Sequence, residues 1–375
     1  MKLRIKKDVL LEGLNKVSKA ISTKNLVPVL AGIKFDLTTE GLTLTASDND
    51  ITIQTFINSL DSMDVEKEGS IIIQGKYILD IVRKLPDEFI NIEVIDDLKI
   101  LIYTENSEFN LNGISKNEYP NIELELSKTP FNIASKVFKN IVYQTSFASS
   151  NDETRPILTG INFKIMGNIL ECNSTDSYRL ARKIVTLDNV IEEGYNIVIP
   201  SKNLVEFTKI MNDNDDFVEL HIFNNKILFK YDNILFQSRL INGTYPNTAN
   251  LLPEDSLLKI TANINDLYNV IDRASILTSD KEKNIVTFEI GQNKLMVKSS
   301  SAEIGRVEEK MLIDKNNDEN IKISFVAKYM MEALKSFSTE KVEISFVGEI
   351  KPIILKAADS EDETLTQLVL PIRTY

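Results

Sequence analysis

Among residues whose spacing could do chemistry, Gly69-Ser70-Ile71-Ile72-Ile73-Gln74-Gly75-Lys76-Tyr77 comes nearest to a phosphate-binding loop. Such a loop spaces two glycines so that backbone N–H groups cradle phosphates, then needs Lys followed by a Ser or Thr that ligands magnesium. Here five residues separate the glycines, Tyr77 takes the place of the hydroxyl ligand, and the isoleucine run reads as a strand. Asp48-Asn49-Asp50 has the acidic spacing that opens a calcium loop, yet the strand-like Ile51-Thr52-Ile53 follows and the required glycine is missing. One histidine, His221, and one cysteine, Cys172, cannot build a zinc site. His221 falls in the alternating run Glu219-Leu220-His221-Ile222-Phe223, a sheet position, and Cys172 reads as a packed thiol that excludes an internal disulfide. No Gly-x-Ser-x-Gly elbow is present. The sequons at Asn173 and Asn242 matter only in a secreted chain. Asp48 and Asp176 recur at matching places, as turn caps do. No catalytic group, metal or cofactor is expected.

The elements that carry these residues are repeated. Pro28-Val29-Leu30-Ala31-Gly32-Ile33-Lys34-Phe35, with Leu44-Thr45-Ala46-Ser47-Asp48 after it, returns as Pro156-Ile157-Leu158-Thr159-Gly160-Ile161-Asn162-Phe163 and Cys172-Asn173-Ser174-Thr175-Asp176. Every landmark is displaced by 128. A fainter third copy is Asn284-Ile285-Val286-Thr287-Phe288, then Leu295-Met296-Val297-Lys298-Ser299-Ser300. Lys76, Lys202 and Lys328 stand 126 apart, each opening an amphipathic stretch. A period of this size gives each copy enough chain for its own core.

Each copy starts with a short strand (3–5, 131–133, 258–260) and a helix whose apolar residues recur at three and four, such as Val9, Leu10, Leu14, Val17 and Ile21. Asp8 and Asn263 are expected N-caps. Three strands, a second helix and three closing strands follow. The unit is β-α-β-β-β-α-β-β-β, an α+β domain whose two helices cover one face of the sheets. Boundaries near 125 and 253 give domains 1–125, 126–252 and 253–375, and the connecting segments share Tyr-Pro-Asn at Tyr119 and Tyr245.

The chain carries a formal charge of −12, which on average opposes binding to phosphates. The six helical stretches reverse that sign. They hold fourteen Lys and Arg against seven Asp and Glu, with Lys136 and Lys139 in a stretch that has no acid at all. One such helix is an ordinary solvated face; six in the same sense form a repeated basic surface suited to a duplex backbone, read without sequence preference. No apolar run reaches 18 residues, and the N-terminus runs directly into the first repeat without the apolar core of a signal peptide, so a cytoplasmic chain without a membrane partner is expected.

Over its whole length the chain resembles the bacterial sliding clamps, the beta subunits of DNA polymerase III. The marks are Ser174-Thr175-Asp176-Ser177-Tyr178-Arg179-Leu180, Arg155-Pro156-Ile157-Leu158-Thr159-Gly160, Gly243-Thr244-Tyr245-Pro246 and Leu368-Val369-Leu370-Pro371-Ile372-Arg373, together with the triplication. The resemblance implies a head-to-tail homodimer whose domains close a ring around duplex DNA, with helices on the inner face and sheets outside. It implies a processivity factor that tethers the replicative polymerase and is opened by a clamp loader using ATP. It also implies a pocket for partner peptides between the second and third domains. One part is Leu158, Thr175, Ser177, Tyr178, Arg179, Leu180, Pro246 and Leu251; the other is Val326, Tyr329, Ile350, Leu368, Leu370, Pro371, Ile372 and Arg373. Tyr178 and Asn250 stand where some members carry His and Arg, and Val326 where some carry Asn. DNA contacts fall on Lys24, Lys76, Arg83, Lys136, Lys139, Arg155, Lys202, Lys209 and Lys328. Arg273, Ile276 and Leu277 would meet Phe109 and Leu111 of the second copy. Two rivals remain at this stage: an enzyme with catalytic carboxylates at domain junctions, and a peptide-binding scaffold indifferent to DNA.

Overall fold

Short alternating segments hand over directly to helices at the start of every copy. The structure, a computed structural model, describes the chain apart from residues 22–26, 61, 97, 213–215, 254, 278–283, 302, 359–363 and 374–375 and the side chain of residue 249. The first copy comprises β1 (Lys2–Lys6), α1 (Lys7–Val17), β2 (Gly32–Leu37), β3 (Gly41–Ser47), β4 (Ile51–Asn58), β5 (Met63–Lys67), β6 (Gly69–Gln74), α2 (Gly75–Lys84), β7 (Phe89–Val94), β8 (Lys99–Tyr103) and β9 (Glu108–Asn112). The second has β10 (Phe131–Ala134), α3 (Ser135–Thr145), β11 (Gly160–Thr175), β12 (Arg179–Pro200), α4 (Ser201–Ile210), β13 (Phe217–Ile222), β14 (Lys226–Tyr231) and β15 (Ile234–Arg239). The third has β16 (Leu258–Asn263), α5 (Ile264–Ser275), β17 (Ile285–Gly291), β18 (Lys294–Ser301), β19 (Gly305–Leu312), β20 (Asp314–Lys315), β21 (Ile321–Val326), α6 (Ala327–Lys335), β22 (Lys341–Phe346), β23 (Ile353–Ala357) and β24 (Leu365–Val369).

The α+β plan in three copies stands, with one correction to its strand count. Among the described residues, five strands rather than three lie between the helices of the first and third copies, because β5 alternates only over Met63-Asp64-Val65 and β20 is two residues long, too short to read as strands. In the second copy the same stretch is drawn into two long bent strands, β11 and β12. The N-cap of α1 is also corrected. It is Lys6, without a side-chain cap, since β1 runs straight into the helix and leaves Asp8 inside its first turn. Asn263 caps α5 as expected, its side chain accepting the Asp266 N–H at 3.1 Å.

Contacts divide the chain into two compact units, and neither coincides with one repeat. The first unit holds residues 1–138 and 206–240. Its five-stranded sheet has the order β5-β1-β7-β8-β9; its eight-stranded sheet has the order β10-β13-β14-β15-β4-β3-β2-β6, so strands of the second copy continue those of the first where β15 pairs β4. The second unit holds residues 139–205 and 241–375. It contains a seven-stranded sheet, β11-β12-β24-β23-β22-β16-β20, joined at β12 and β24, and a four-stranded sheet, β19-β18-β17-β21. Core side chains follow the predicted helix faces: Leu10, Leu14, Val17, Ile78 and Val82 in the first copy, Leu204 and Phe207 in the second, Leu267, Ile271, Met330 and Leu334 in the third. Full burial of each such side chain stabilises by roughly 1.5–3 kcal/mol.

Candidate peptide and nucleic-acid interfaces

The turn that links β11 to β12 is built by its own side chains. Asp176 Oδ1 accepts the N–H groups of Tyr178 (2.9 Å) and Arg179 (3.1 Å), while Thr175 Oγ1 donates to Arg179 O (2.6 Å) and accepts the Ser177 N–H (3.1 Å). These bonds hold Ser177 at φ 77°, a left-handed conformation that a short polar residue tolerates. From beneath, Tyr245 of the Gly-Thr-Tyr-Pro segment accepts the Thr175 N–H at 3.0 Å through its buried hydroxyl, whose ionisation burial pushes well up. The residues that mark the repeat therefore fix the backbone on which Tyr178, Arg179 and Leu180 are presented.

Arg179 is 9% exposed. Its Nε donates to Asp176 Oδ2 at 2.9 Å, its Nη1 pairs with Glu332 of α6, and its guanidinium lies over the rings of Tyr329 (4.6 Å) and Phe147 (5.4 Å). Tyr329 in turn stacks on Tyr178, ring centroids 6.4 Å apart and planes inclined by 22°, with Tyr178 61% exposed. Beside them a cleft of about 490 Å³ is lined by Ser150, Asp152, Arg155, Leu158, Tyr178, Arg179, Lys328 and Tyr329 among others.

An apolar patch adjoins the turn where β12 meets β24. Leu180 faces Leu368 in register, and both cluster with Ile354, with Leu252 and Leu370 packed on the outside. The C-terminal segment is pinned by two backbone bonds, Leu370 N–H to Tyr178 O at 2.9 Å and Ile372 N–H to Ser324 O at 2.7 Å. Pro371 and Ile372 are half-buried beside it and Arg373 is exposed. Val326, half-buried, is the N-cap of α6, while Pro246 and Ile350 are exposed on loops and Leu251 is exposed at the end of a 3-10 turn. The corresponding seam in the first unit repeats the backbone but not the chemistry. Arg239 N–H donates to Asp50 O, also at 2.9 Å, yet the facing pair there is Thr52 and Gln237.

The basic residues occupy one recurrent place. Lys76, Lys136, Lys202 and Lys328 are each the second residue of their helix, α2, α3, α4 and α6, and each is exposed. A cation there faces the positive end of the helix dipole and costs a few tenths of a kcal/mol, so helix stability does not account for the repetition. Lys139 is half-buried on α3 and Arg155 exposed in the loop before the Pro156–Thr159 turn. Arg83 lies 3.9 Å from Asp80 and Lys209 2.6 Å from Glu206, which lowers their net contribution to a basic face. Lys24 lies outside the described residues.

Three family models tile the sequence. Those described as the N-terminal, central and C-terminal domains of the DNA polymerase III beta subunit match residues 1–123, 132–247 and 249–373. The chain belongs to the DNA polymerase III beta-subunit family. Among curated relatives, the beta sliding clamps of Bacillus subtilis and Staphylococcus aureus are each 39% identical, with 100% of both chains covered. The crystal structure of the DNA polymerase sliding clamp from Bacillus subtilis superposes with a TM-score of 0.96 at 39% identity, and the beta chain from Streptococcus pneumoniae with 0.94 at 35%, both over 100% of each chain. The fold is thus the three-domain clamp fold, and the chain is a sliding clamp of DNA replication.

Within this clamp, Phe109 and Leu111 are half-buried on β9, an edge strand of the five-stranded sheet. Ile276 is 70% exposed just beyond α5, with Leu277 half-buried after it. Arg273 is held on β19 by Glu309 through bonds of 2.8 and 2.5 Å, which keeps its pKa up. Sequence reasoning missed Glu332, Phe147, Ile354 and Leu252. For Ile354 the apolar run Ile353-Ile354-Leu355 was an available signal; for Glu332 there was none, because its partner lies 153 residues away.

Proposed function

We propose that this clamp closes with a second copy, head to tail, into a ring that encircles duplex DNA, slides without sequence preference, and tethers the replicative polymerase. The reading divides the chain into domains at 1–125, 126–252 and 253–375, places it in the cytoplasm and gives it no catalytic step of its own. The observation that carries it is the exposed lysine at the second position of four helices, retained against the helix dipole. Phosphates of a duplex offer such lysines a return, through contacts weakened by salt. No helix among the described residues is long and apolar enough to cross a membrane.

Partner peptides enter at Leu180, Leu368 and Leu370, where apolar anchors would bury against the patch and Tyr178 would cover them. The open edges of β9 and β19 suit closure with the second copy, Ile276 and Leu277 meeting Phe109 and Leu111. A clamp loader must open the closed form, and the segment 69–77 supports that division of labour, being β6 followed by the first turn of α2 rather than a nucleotide loop. Tethering raises the local polymerase concentration without requiring tight contact with DNA. The test is loader-dependent retention on nicked circular DNA before and after linear cutting. Retention on the circle and loss from the linear form is expected; equal retention on both would sink the ring.

A further inference from the structure

Two Asn-Gly pairs follow the closing strands of the first and second copies, each shortly before a Tyr-Pro-Asn: Asn112-Gly113, which begins on the last residue of β9, and Asn242-Gly243, which lies beyond the end of β15. Their surroundings differ. Asn112 is the final residue of β9, paired with Lys99, and the Gly113 N–H donates to Leu98 O at 2.6 Å. Side-chain atoms of Ile71 and Ile100 lie 2.8 Å from where a Gly113 Cβ would stand. Asn242 and Gly243 are both exposed and belong to no strand or helix, and neither has a hydrogen-bond partner among the described residues. Gly243 has φ 136° and its nearest neighbour, Ile157, is 3.4 Å from a notional Cβ.

We propose that Asn242 is a site of spontaneous modification to aspartate and isoaspartate, from which the fold protects Asn112. The nitrogen of Gly243, on losing its proton, attacks Asn242 Cγ; the N–Cγ bond forms, the Cγ–Nδ2 bond breaks, and nitrogen leaves as ammonia after taking up a proton. Water then opens the five-membered imide, giving aspartate by attack at Cγ or isoaspartate by attack at the main-chain carbonyl carbon. The first step needs the following N–H free of a partner and a following residue without a side chain; Gly243 meets both conditions, and Gly113 has its N–H engaged. The segment lies between two anchors, the Ile241 N–H on Val198 O (2.8 Å) and the Tyr245 hydroxyl under Thr175. Isoaspartate lengthens the main chain by one carbon and adds a carboxylate between them. On the peptide-pocket reading given above, this disturbs the Thr175 turn and weakens partner binding.

The full-length protein is aged at mildly alkaline pH, digested, and both peptides are followed by mass and by isoaspartyl methylation, with a denatured sample alongside. In the folded protein the Asn242 peptide should convert several-fold faster than the Asn112 peptide, while denaturation brings the two rates together. Equal rates in the folded protein, or faster conversion at Asn112, would overturn the proposal. Asn242→Gln, which retains the amide but cyclises slowly, should abolish conversion at this position; persistent isoaspartate in that peptide would place the chemistry elsewhere. The affinity of a polymerase-tail peptide for aged wild-type and aged Asn242→Gln protein gives a separate readout. Conversion without loss of affinity leaves the modification standing and counts against the pocket reading.

Discussion

Asp48 and Asp176, 128 positions apart, hold their turns by the same pair of bonds: Asp48 Oδ1 accepts the N–H groups of Asp50 and Ile51 at 3.0 and 2.9 Å, as Asp176 Oδ1 does for Tyr178 and Arg179. Asn49 and Ser177 between them share φ values of 76° and 77°. Ser47 and Thr175 each bond the carbonyl four residues on. The carboxylates are turn caps, and what sets the second turn apart is Arg179, which adds a third bond to Asp176.

Removing the caps separates the two roles. Asp48→Ala should cost about 1 kcal/mol of stability and Asp176→Ala about 1–3 kcal/mol, since the latter also leaves a buried guanidinium short of a partner. Thermal or denaturant unfolding measures both, and equal losses would contradict the added role of Asp176.

Reversing the helix-start lysines gives opposite effects on two properties. Glu in place of Lys76 or Lys328 should raise stability slightly, about 0.3–1 kcal/mol each from the helix dipole. Retention on circular DNA should fall and depend less on salt. A charge reversal that destabilised the protein and left DNA retention intact would reverse the proposed purpose of these residues.

For the peptide site, Tyr178→Ala removes an exposed ring and leaves the core untouched. Loss of the cover it is proposed to give a bound anchor should weaken a polymerase-tail peptide about tenfold, equivalent to about 1.4 kcal/mol. Fluorescence anisotropy gives the affinity, and an unchanged value would exclude Tyr178 from the contact.

Ile276→Asp places a charge on a residue that is 70% exposed in the single chain. Its fold should be unaffected, while sedimentation should show a shift from dimer to monomer. A dimer of undiminished strength would remove this face from the interface.

His221 predicts the response to acid. Its Nδ1 accepts the Ser127 N–H at 2.9 Å, so the neutral ring carries its proton on Nε2, 2.7 Å from Glu219 Oε1. Burial lowers its pKa from 6.5, against the upward pull of Glu219. With the folded value depressed, this contribution is complete above the unfolded pKa of about 6.5 and is lost as pH falls toward and through the folded value, where the unfolded chain binds the proton first. The melting temperature should drop over that window, and His221→Gln should flatten the drop.

Much of this was legible because the repeat prints the same side chains onto the same backbone. The helix faces, the Lys positions, the buried Cys172 and the capping role of Asp48 and Asp176 all follow from local spacing. Asp8 misled because a strand that enters a helix without a loop leaves no place for a capping side chain. The Arg179–Glu332 pair was hidden for a different reason. On sequence Glu332 offsets Lys328 and Lys335 along its own helix, and only the fold turns it to a strand of another copy. The same holds for the buried bonds of Gln367 Nε2 to Gln144 O (3.0 Å) and Ser336 Oγ (2.9 Å), which no periodicity announces.

The seam between β4 and β15 faces Thr52 with Gln237, where the seam between β12 and β24 faces Leu180 with Leu368. Duplication supplied two like junctions, and only one of them is greasy enough to serve as a socket. In the proposed ring, a pair of chains would offer two such sockets in all, a fixed valency. Proteins that outnumbered those sockets would compete, so the order in which they act on the DNA would become a matter of residence time and local supply.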